Sequence, residues 1–255
     1  MRAMILPALD ARLVPADLPT PEPGPGQVRL RVAACGVNFA DTLLVRGRYQ
    51  VRPELPFAPG GEVAGTVEAL GPGVEAPALG ARVAAVTGHG GFAEAVLAPA
   101  AACAALPAAL AAEAAAALLV NYGTAEMALA RRARLGAGET LLVLGAAGGT
   151  GLAGVEIGAL LGARVIAVAR GAARRDLARE KGAAETLDPD ADDLKTAVKA
   201  LGGADVVFDP VGGDLFRPAL STLRFEGRYL PIGFASGEAP RIPANLLLVK
   251  NLDAI

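Results

Sequence analysis

Residues 145–151 read Gly-Ala-Ala-Gly-Gly-Thr-Gly, and apolar runs flank them on both sides. Positions without side chains let a backbone come close to a diphosphate, and N–H groups at a helix start point at its oxygens. The chemistry this string could do is to hold the pyrophosphate of a dinucleotide, with Gly148, Gly149, Thr150 and Gly151 as contacts. The pattern is A-x-G-x-x-G, with Ala146 where the strict fingerprint has its first glycine. Gly148 would permit the close approach, and Gly151 would let the helix pack on the strand. An ordinary tight turn in an α/β protein is the other reading. The context favours the first: strand Leu141 to Leu144, turn, helix Leu152 to Leu161 and strand Arg164 to Ala169 form one unit of about 30 residues.

The end of that second strand bears on which dinucleotide is held. NAD binders place an acid there for the ribose 2′-hydroxyl. This sequence has Ala169 and then Arg170, with Arg174 and Arg175 following. No acid repels a 2′-phosphate, and guanidinium groups can grip one bidentately, so NADPH is the expected cofactor. Solvated arginines opening a helix are the alternative. Metal chemistry has few ligands to draw on. His89 is the single histidine, and Cys35 and Cys103 are the only cysteines. A four-cysteine zinc site is impossible, and a Cys/His catalytic set is disfavoured. The spacing leaves a disulfide open, but two small buried thiols in a reduced compartment are the preferred reading. His89 reads as a structural loop residue, and no nucleophile–base pair stands out.

The chain must supply elements to position these groups. In the second half, strand and helix alternate. Candidate strands are Leu141 to Leu144, Arg164 to Ala169, Glu185 to Asp188, Asp205 to Asp209 and Arg228 to Ile232. Helical segments at Arg174 to Lys181, Leu194 to Leu201 and Leu215 to Leu223 lie between them. That order predicts a parallel sheet with helices on both faces. The first half differs. Met1 to Asp10 can be a strand, and the prolines of Val14 to Gly26 imply an extended surface loop. Gln27 to Val37 alternates apolar and polar residues, as a half-buried strand does. Asn38 to Tyr49 suggests a short helix and a turn at Gly47. Glu62 to Leu70, Ala81 to Thr87 and Gly91 to Ala98 complete a set of short strands, which reads as a small barrel or sandwich. Ala101 to Leu135 looks helical, with Pro107 in a first turn. The boundaries expected are residues 1–118 for the β-rich domain and 119–255 for the dinucleotide-binding domain. A two-half dinucleotide fold wants six parallel strands. Five are counted, a sixth would begin near Leu252, and the expectation is a C-terminally truncated fold.

At 255 residues the chain can bury a sizeable core. A net charge of −2 with 20% charged residues gives no reason to expect nucleic acid or a charged membrane surface as partner. No secretory signal is visible. The most apolar stretch, Ala93 to Val120, is broken by Pro99, Pro107 and Glu113. It falls short of the roughly 20 strongly apolar residues of a membrane span. A soluble cytoplasmic protein is expected.

Several stretches together carry a more specific likeness. They are 21–27 (Pro-Glu-Pro-Gly-Pro-Gly-Gln), 34–41 (Ala-Cys-Gly-Val-Asn-Phe-Ala-Asp), 59–65 (Pro-Gly-Gly-Glu-Val-Ala-Gly), 145–151, 209–214 (Asp-Pro-Val-Gly-Gly-Asp) and 233–237 (Gly-Phe-Ala-Ser-Gly). With them the chain resembles the zinc-free quinone oxidoreductase branch of the medium-chain dehydrogenase/reductase superfamily, the zeta-crystallin-like enzymes. The zinc-dependent cousins carry a cysteine near Asn38 and a histidine after Gly60; here those places hold Asn38 and Gly61. The resemblance implies a GroES-like barrel followed by a doubly wound Rossmann domain. It implies direct hydride transfer from NADPH to a quinone or related electron-poor alkene, without a metal. An enoyl or alkenal reductase on the same scaffold, or a non-catalytic NADPH-binding protein, are the alternatives. Relatives form homodimers.

Carried over by position, Asn38 is expected beside the nicotinamide ribose or carboxamide at the domain cleft, and Tyr49 as a donor to, or stacking partner of, a quinone. Thr124 resembles a contact to the nicotinamide end, Arg174 the basic phosphate contact, and Gly233, Phe234 and Ala235 the segment under the nicotinamide. Each has a plainer reading: a turn asparagine, a tyrosine covering core, a helix-start hydroxyl, a solvated arginine, a strand-end turn. Glu62 reads as support for the cleft floor and Asp41 as a cap or turn residue. Two positions depart from the family: Pro189 stands where a tyrosine is common, and Glu126-Met127 where relatives often carry Tyr-His.

Overall fold

The computed structural model describes residues 1–255. The chain divides into two compact units, Met1–Val120 and Asn121–Ile255.

The first unit is built on a five-stranded antiparallel sheet of β3 (Gln27–Cys35), β4 (Glu62–Leu70), β5 (Arg82–Val86), β6 (Ala95–Pro99) and β7 (Cys103–Ala105), in the order β6-β3-β4-β5-β7. Alternation along the strands sorts their residues. Val28, Leu30, Val63, Val67, Val83 and Val96 fill one core, while Ala64 and Ala84 turn to the other face against Ala115 and Ala116 of the short helix α2 (Ala112–Ala116). Alanines on both partners let that helix lie close to the sheet. β1 (Arg2–Ile5) pairs with β2 (Val14–Asp17), so the proline-rich segment opens as a strand and not as a loop. Pro15 pairs with Met4 in a two-stranded ribbon, where a residue without an N–H is tolerated. Helix α1 (Phe39–Leu44) follows β3 and is capped by Asn38.

The second unit is a six-stranded parallel sheet. Its strands are β8 (Thr140–Leu144), β9 (Arg164–Val168), β10 (Glu185–Leu187), β11 (Ala204–Asp209), β12 (Leu223–Pro231) and β13 (Asp253–Ala254), in the order β10-β9-β8-β11-β12-β13. This is the 3-2-1-4-5-6 order of the doubly wound dinucleotide fold. Every residue of β8 is buried, and its period of two feeds two cores. Leu141 and Val143 join Val165, Ala167 and Phe208 on one face; Leu142 and Leu144 join Ile166, Val168 and Tyr229 on the other. α4 (Gly149–Leu160) covers the first face. α6 (Leu194–Ala200) and α7 (Phe216–Thr222) cover the second through Val198, Phe216 and Leu220. α5 (Ala172–Glu180) lies between β9 and β10 in sequence, and α8 (Ala244–Lys250) precedes β13.

The expected helix over Ala101 to Leu135 is several elements. A 3-10 turn, Ala100–Ala102, leads into β7, α2 begins at Ala112, and α3 (Leu119–Glu126) runs into a π-helical turn, Met127–Arg132. Pro107 therefore does not open a helix. Alanine-rich sequence carries little periodicity, and the pairing of Val83 with Ala105 decides the matter through long-range contact. No helix is long and apolar enough to cross a membrane.

Candidate functional site

Helix α4 starts at Gly149 with Gly148 as its cap, three positions before the start expected from the sequence. The glycines serve close approach and do not break the helix. A Cβ on Gly151 would lie 2.2 Å from the Gly145 carbonyl oxygen, and one on Gly158 would lie 2.4 Å from Leu141 Cδ2. Gly145 itself turns with φ +58°, a conformation L side chains rarely adopt. The N–H groups of Gly149, Thr150 and Gly151 have no protein acceptor; the first α4 residue to donate back is Leu152, to Gly148. Three free donors at the positive end of a twelve-residue helix are an arrangement that can accept an anion. The Thr150 hydroxyl donates to Asn121 Oδ1 at 2.8 Å, which ties this turn to α3. Sequence reasoning passed over Asn121, although it lies in the stretch that singled out Thr124.

Beside the turn is a cleft of about 380 Å³, lined by Gly145, Ala147 and Gly148, by Val168, Ala169 and Arg170 at the end of β9, and by Arg174, Pro189, Val211 and Leu215. No acid lines it. The three arginines expected here part company. Arg170 Nε reaches Asp190 at 3.1 Å in an ion pair that is about two-thirds exposed. Arg175 is held by Asp188, whose carboxyl also accepts from the Gly171 N–H. Those backbone N–H groups, of Gly171 and then Asp190, hold the Asp188 carboxyl below its usual range, with Arg175 adding to the effect. Arg174 is exposed at the cleft with no carboxylate partner. The acid at the tip of the third strand thus removes one arginine from competition and leaves its neighbour free.

The turn after β11 closes the cleft from the other side. Asp209 is fully buried. Its Oδ1 accepts from the N–H groups of Val211 and Gly212, both at 2.8 Å, and its Oδ2 from the Tyr229 hydroxyl at 2.6 Å. Val211 so placed lies against Gly145, whose missing Cβ would stand 2.8 Å from Val211 Cγ2. Gly233, Phe234 and Ala235 cross this turn: Ala235 N–H donates to the Pro210 carbonyl at 3.1 Å, and the Phe234 side chain is exposed. Thr124 is half-buried in α3, six residues into the helix, so its hydroxyl does not serve a helix start.

In the first unit a second polar group forms around Asn38. Its Nδ2 donates to Glu62 Oε1 at 2.8 Å, and its backbone N–H donates to Asp41 Oδ2 at 2.8 Å. Asp41 Oδ1 also accepts from the Gly60 N–H at 3.1 Å, so Asp41 acts as a cap and ties α1 to the loop before β4. Glu62 is 1% exposed, and its Oε2 accepts from the Val120 N–H at 2.9 Å. The Cys35 thiol donates to the Glu62 carbonyl at 3.1 Å. Burial, then the charges of Asp41 and Glu62, push that thiol up to about 12. Cys35 and Cys103 are half-buried and free, which closes the disulfide question. Tyr49 packs on the cluster of Leu6, Leu44 and Phe57, and its hydroxyl makes no hydrogen bond. His89 sits edge-on to Phe57 with ring centroids 6.0 Å apart.

Comparison with known proteins agrees with this architecture. Residues 24–108 match the alcohol dehydrogenase GroES-like domain, and residues 149–255 match the zinc-binding dehydrogenase family. The chain is 43% identical to the quinone oxidoreductase-like protein 2 homolog of Nematostella vectensis, over all of this chain and 71% of that protein. It is 42% identical to quinone oxidoreductase-like protein 2 of Bos taurus, over all of this chain and 74% of that protein. Among solved structures, the quinone oxidoreductase of Thermus thermophilus, also determined with NADPH, superposes with a TM-score of 0.87 at 38% identity, covering all of this chain and 79% of that one. A mycobacterial protein complexed with NADPH gives 0.93 at 34% identity, covering all of this chain and 80% of that one.

Proposed function

The chain belongs to the quinone oxidoreductase family of the medium-chain dehydrogenase/reductase superfamily, and on that premise we propose that it is an NADPH-dependent reductase of quinones or similar electron-poor alkenes. The observation that carries this reading is the unpartnered Arg174 guanidinium at a cleft that contains no acid and borders the free donors of the glycine turn.

The residues present suit NADPH on three counts. The N–H groups of Gly149, Thr150 and Gly151 lack acceptors and would take the pyrophosphate. Arg174 would take the 2′-phosphate, with Arg170 available once it leaves its exposed partner. Ala147, Ala169 and Leu215 offer apolar surface to the adenosine. When bound, the nicotinamide supplies the hydride, and the protein contributes placement and exclusion of water. Within that division we assign Gly233, Phe234, Ala235 and Thr124 to the nicotinamide end, and Asn38 to contact with the substrate. Tyr49, half-buried on the cluster of Leu6, Leu44 and Phe57, is a further candidate for the substrate, as a donor or a stacking partner. A metal has no place in this reading, because Asn38 and Gly61 offer neither thiolate nor imidazole.

The test is to mix purified protein with NADPH and follow the nicotinamide absorbance, first with 1,4-benzoquinone and then with an enone. Quinone turnover supports the proposal. Turnover with the enone alone favours an enoyl or alkenal reductase, and binding without turnover favours a non-catalytic NADPH-binding protein.

A further inference from the structure

We propose that Glu62 is a positioning residue: its carboxylate fixes the Asn38 amide so that one Nδ2 proton is spent on Glu62 and the other is offered to a carbonyl oxygen of the substrate. The inference rests on the assignment of Asn38 to substrate contact made above, and it adds the group that sets the direction of that contact.

The two Glu62 oxygens each face one donor, Asn38 Nδ2 and the Val120 N–H. A carboxylate has only acceptors to give, so the amide must turn its NH2 end towards it, which settles an orientation that an isolated asparagine would leave open. The backbone makes room for this arrangement. A Cβ on Gly36 would lie 2.5 Å from Glu62 Oε1 and 2.4 Å from the Ala116 carbonyl oxygen, so a side chain at position 36 would displace the carboxylate. Asn38 is also fixed through its backbone, by the bond to Asp41 at the start of α1. No protein group accepts the second Nδ2 proton. Adding a hydride to a conjugated quinone or enone moves an electron pair onto the carbonyl oxygen, and a solvent proton completes the two-electron reduction. A donor of fixed direction stabilises that oxygen as the charge develops.

Two measurements test this. The first is ¹⁵N NMR of the Asn38 side-chain amide in the wild-type protein, assigned by its absence in Asn38→Ala. One proton slow to exchange and shifted from its geminal partner is expected, with that difference lost in Glu62→Gln. The second is steady-state kinetics with NADPH and 1,4-benzoquinone. Glu62→Gln is expected to lower kcat by about tenfold with the KM for NADPH within about twofold, and the Asn38→Ala, Glu62→Gln double variant to be no slower than Asn38→Ala alone. Losses that multiply in the double variant would overturn the role of Glu62 as acting through Asn38. Two amide protons exchanging like those of an exposed asparagine would overturn it without any variant at position 62. A wild-type protein with the amide held, yet no turnover of quinone or enone, would remove the substrate contact and the reductase reading while leaving the orienting contact in place.

Discussion

The Thr150 hydroxyl donates to Asn121 Oδ1 at 2.8 Å, and the Cβ that Gly149 lacks would stand 2.9 Å from the same oxygen. One amide oxygen on α3 therefore holds Thr150 and lies close over Gly149, two consecutive residues of the glycine turn. A side chain at 149 would have to displace the Asn121 amide, to which the hydroxyl at 150 is attached.

A methyl group at 149 is expected to push Asn121 aside and turn the N–H groups of the first α4 residues off their common direction. Gly149→Ala should weaken NADPH by about tenfold, a loss of ~1.4 kcal/mol. Asn121→Ala, which removes the anchor but not the clearance, should lose less. Calorimetric titration with NADPH checks both, and unchanged affinity in Gly149→Ala would separate this turn from the nucleotide.

Arg174 and Arg175 are adjacent and are expected to behave in opposite ways. Arg174 has no partner to lose, so Arg174→Asp should weaken NADPH by roughly 100-fold, of the order expected for a charged hydrogen bond, and leave NADH nearly unaffected. Arg175→Ala breaks the bond to Asp188 and should lower the melting temperature while the ratio of NADPH to NADH affinity changes little. Equal losses for both nucleotides in Arg174→Asp would refute the phosphate role.

Cys35 gives a pH dependence with a definite sign. Its thiol is raised from 9.0 to about 12 by burial and by the neighbouring carboxylates of Asp41 and Glu62. The unfolded chain can release this proton from about pH 9 upward, while the folded chain holds it. The contribution is intact below 9.0 and is lost as pH climbs towards about 12. Cys35→Ala should therefore show a shallower alkaline decline in its urea midpoint than the wild type. The thiol is also closely enclosed, since Cβ atoms on Gly60 or Gly91 would each lie 2.7 Å from its sulfur. At neutral pH, a disulfide reagent should leave Cys35 unmodified over the time in which a denatured sample reacts fully.

What the sequence made legible was whatever a local pattern carries. The run from Leu141 to Leu144 and the glycines after it show a strand and a turn by type alone, and the missing acid after Val168 points to the cofactor. What escaped depends on partners far along the chain. Cys103, Ala104 and Ala105 have no β-branched or aromatic residue to suggest a strand, and they pair with Val83, Ala84 and Ala85. Nothing local distinguishes Arg174 from Arg175; Asp188, thirteen residues beyond Arg175, does so by taking only one of them. The sequence suggests Glu62 only as a support, and the fold shows that its carboxylate faces Asn38 and the Val120 N–H.

The buried Asp209 divides its work between two oxygens, and that division predicts two separable phenotypes. Oδ2 holds the Tyr229 hydroxyl, while Oδ1 holds the N–H groups of Val211 and Gly212, the turn that leans on Gly145. Tyr229→Phe removes one donor and leaves a fully buried oxygen without a partner, which costs about 1–3 kcal/mol. The turn keeps both its bonds, so NADPH affinity should stay within about twofold while the melting temperature falls by several degrees. Asp209→Ala removes all three bonds. The freed Val211 and Gly212 N–H groups no longer fix the turn, Val211 can move into the cleft, and NADPH binding should fall together with stability. Thermal melts and NADPH titrations of the two variants decide the matter. If Tyr229→Phe lost affinity as Asp209→Ala does, the two oxygens would not act independently, and the turn after β11 would depend on the whole cluster.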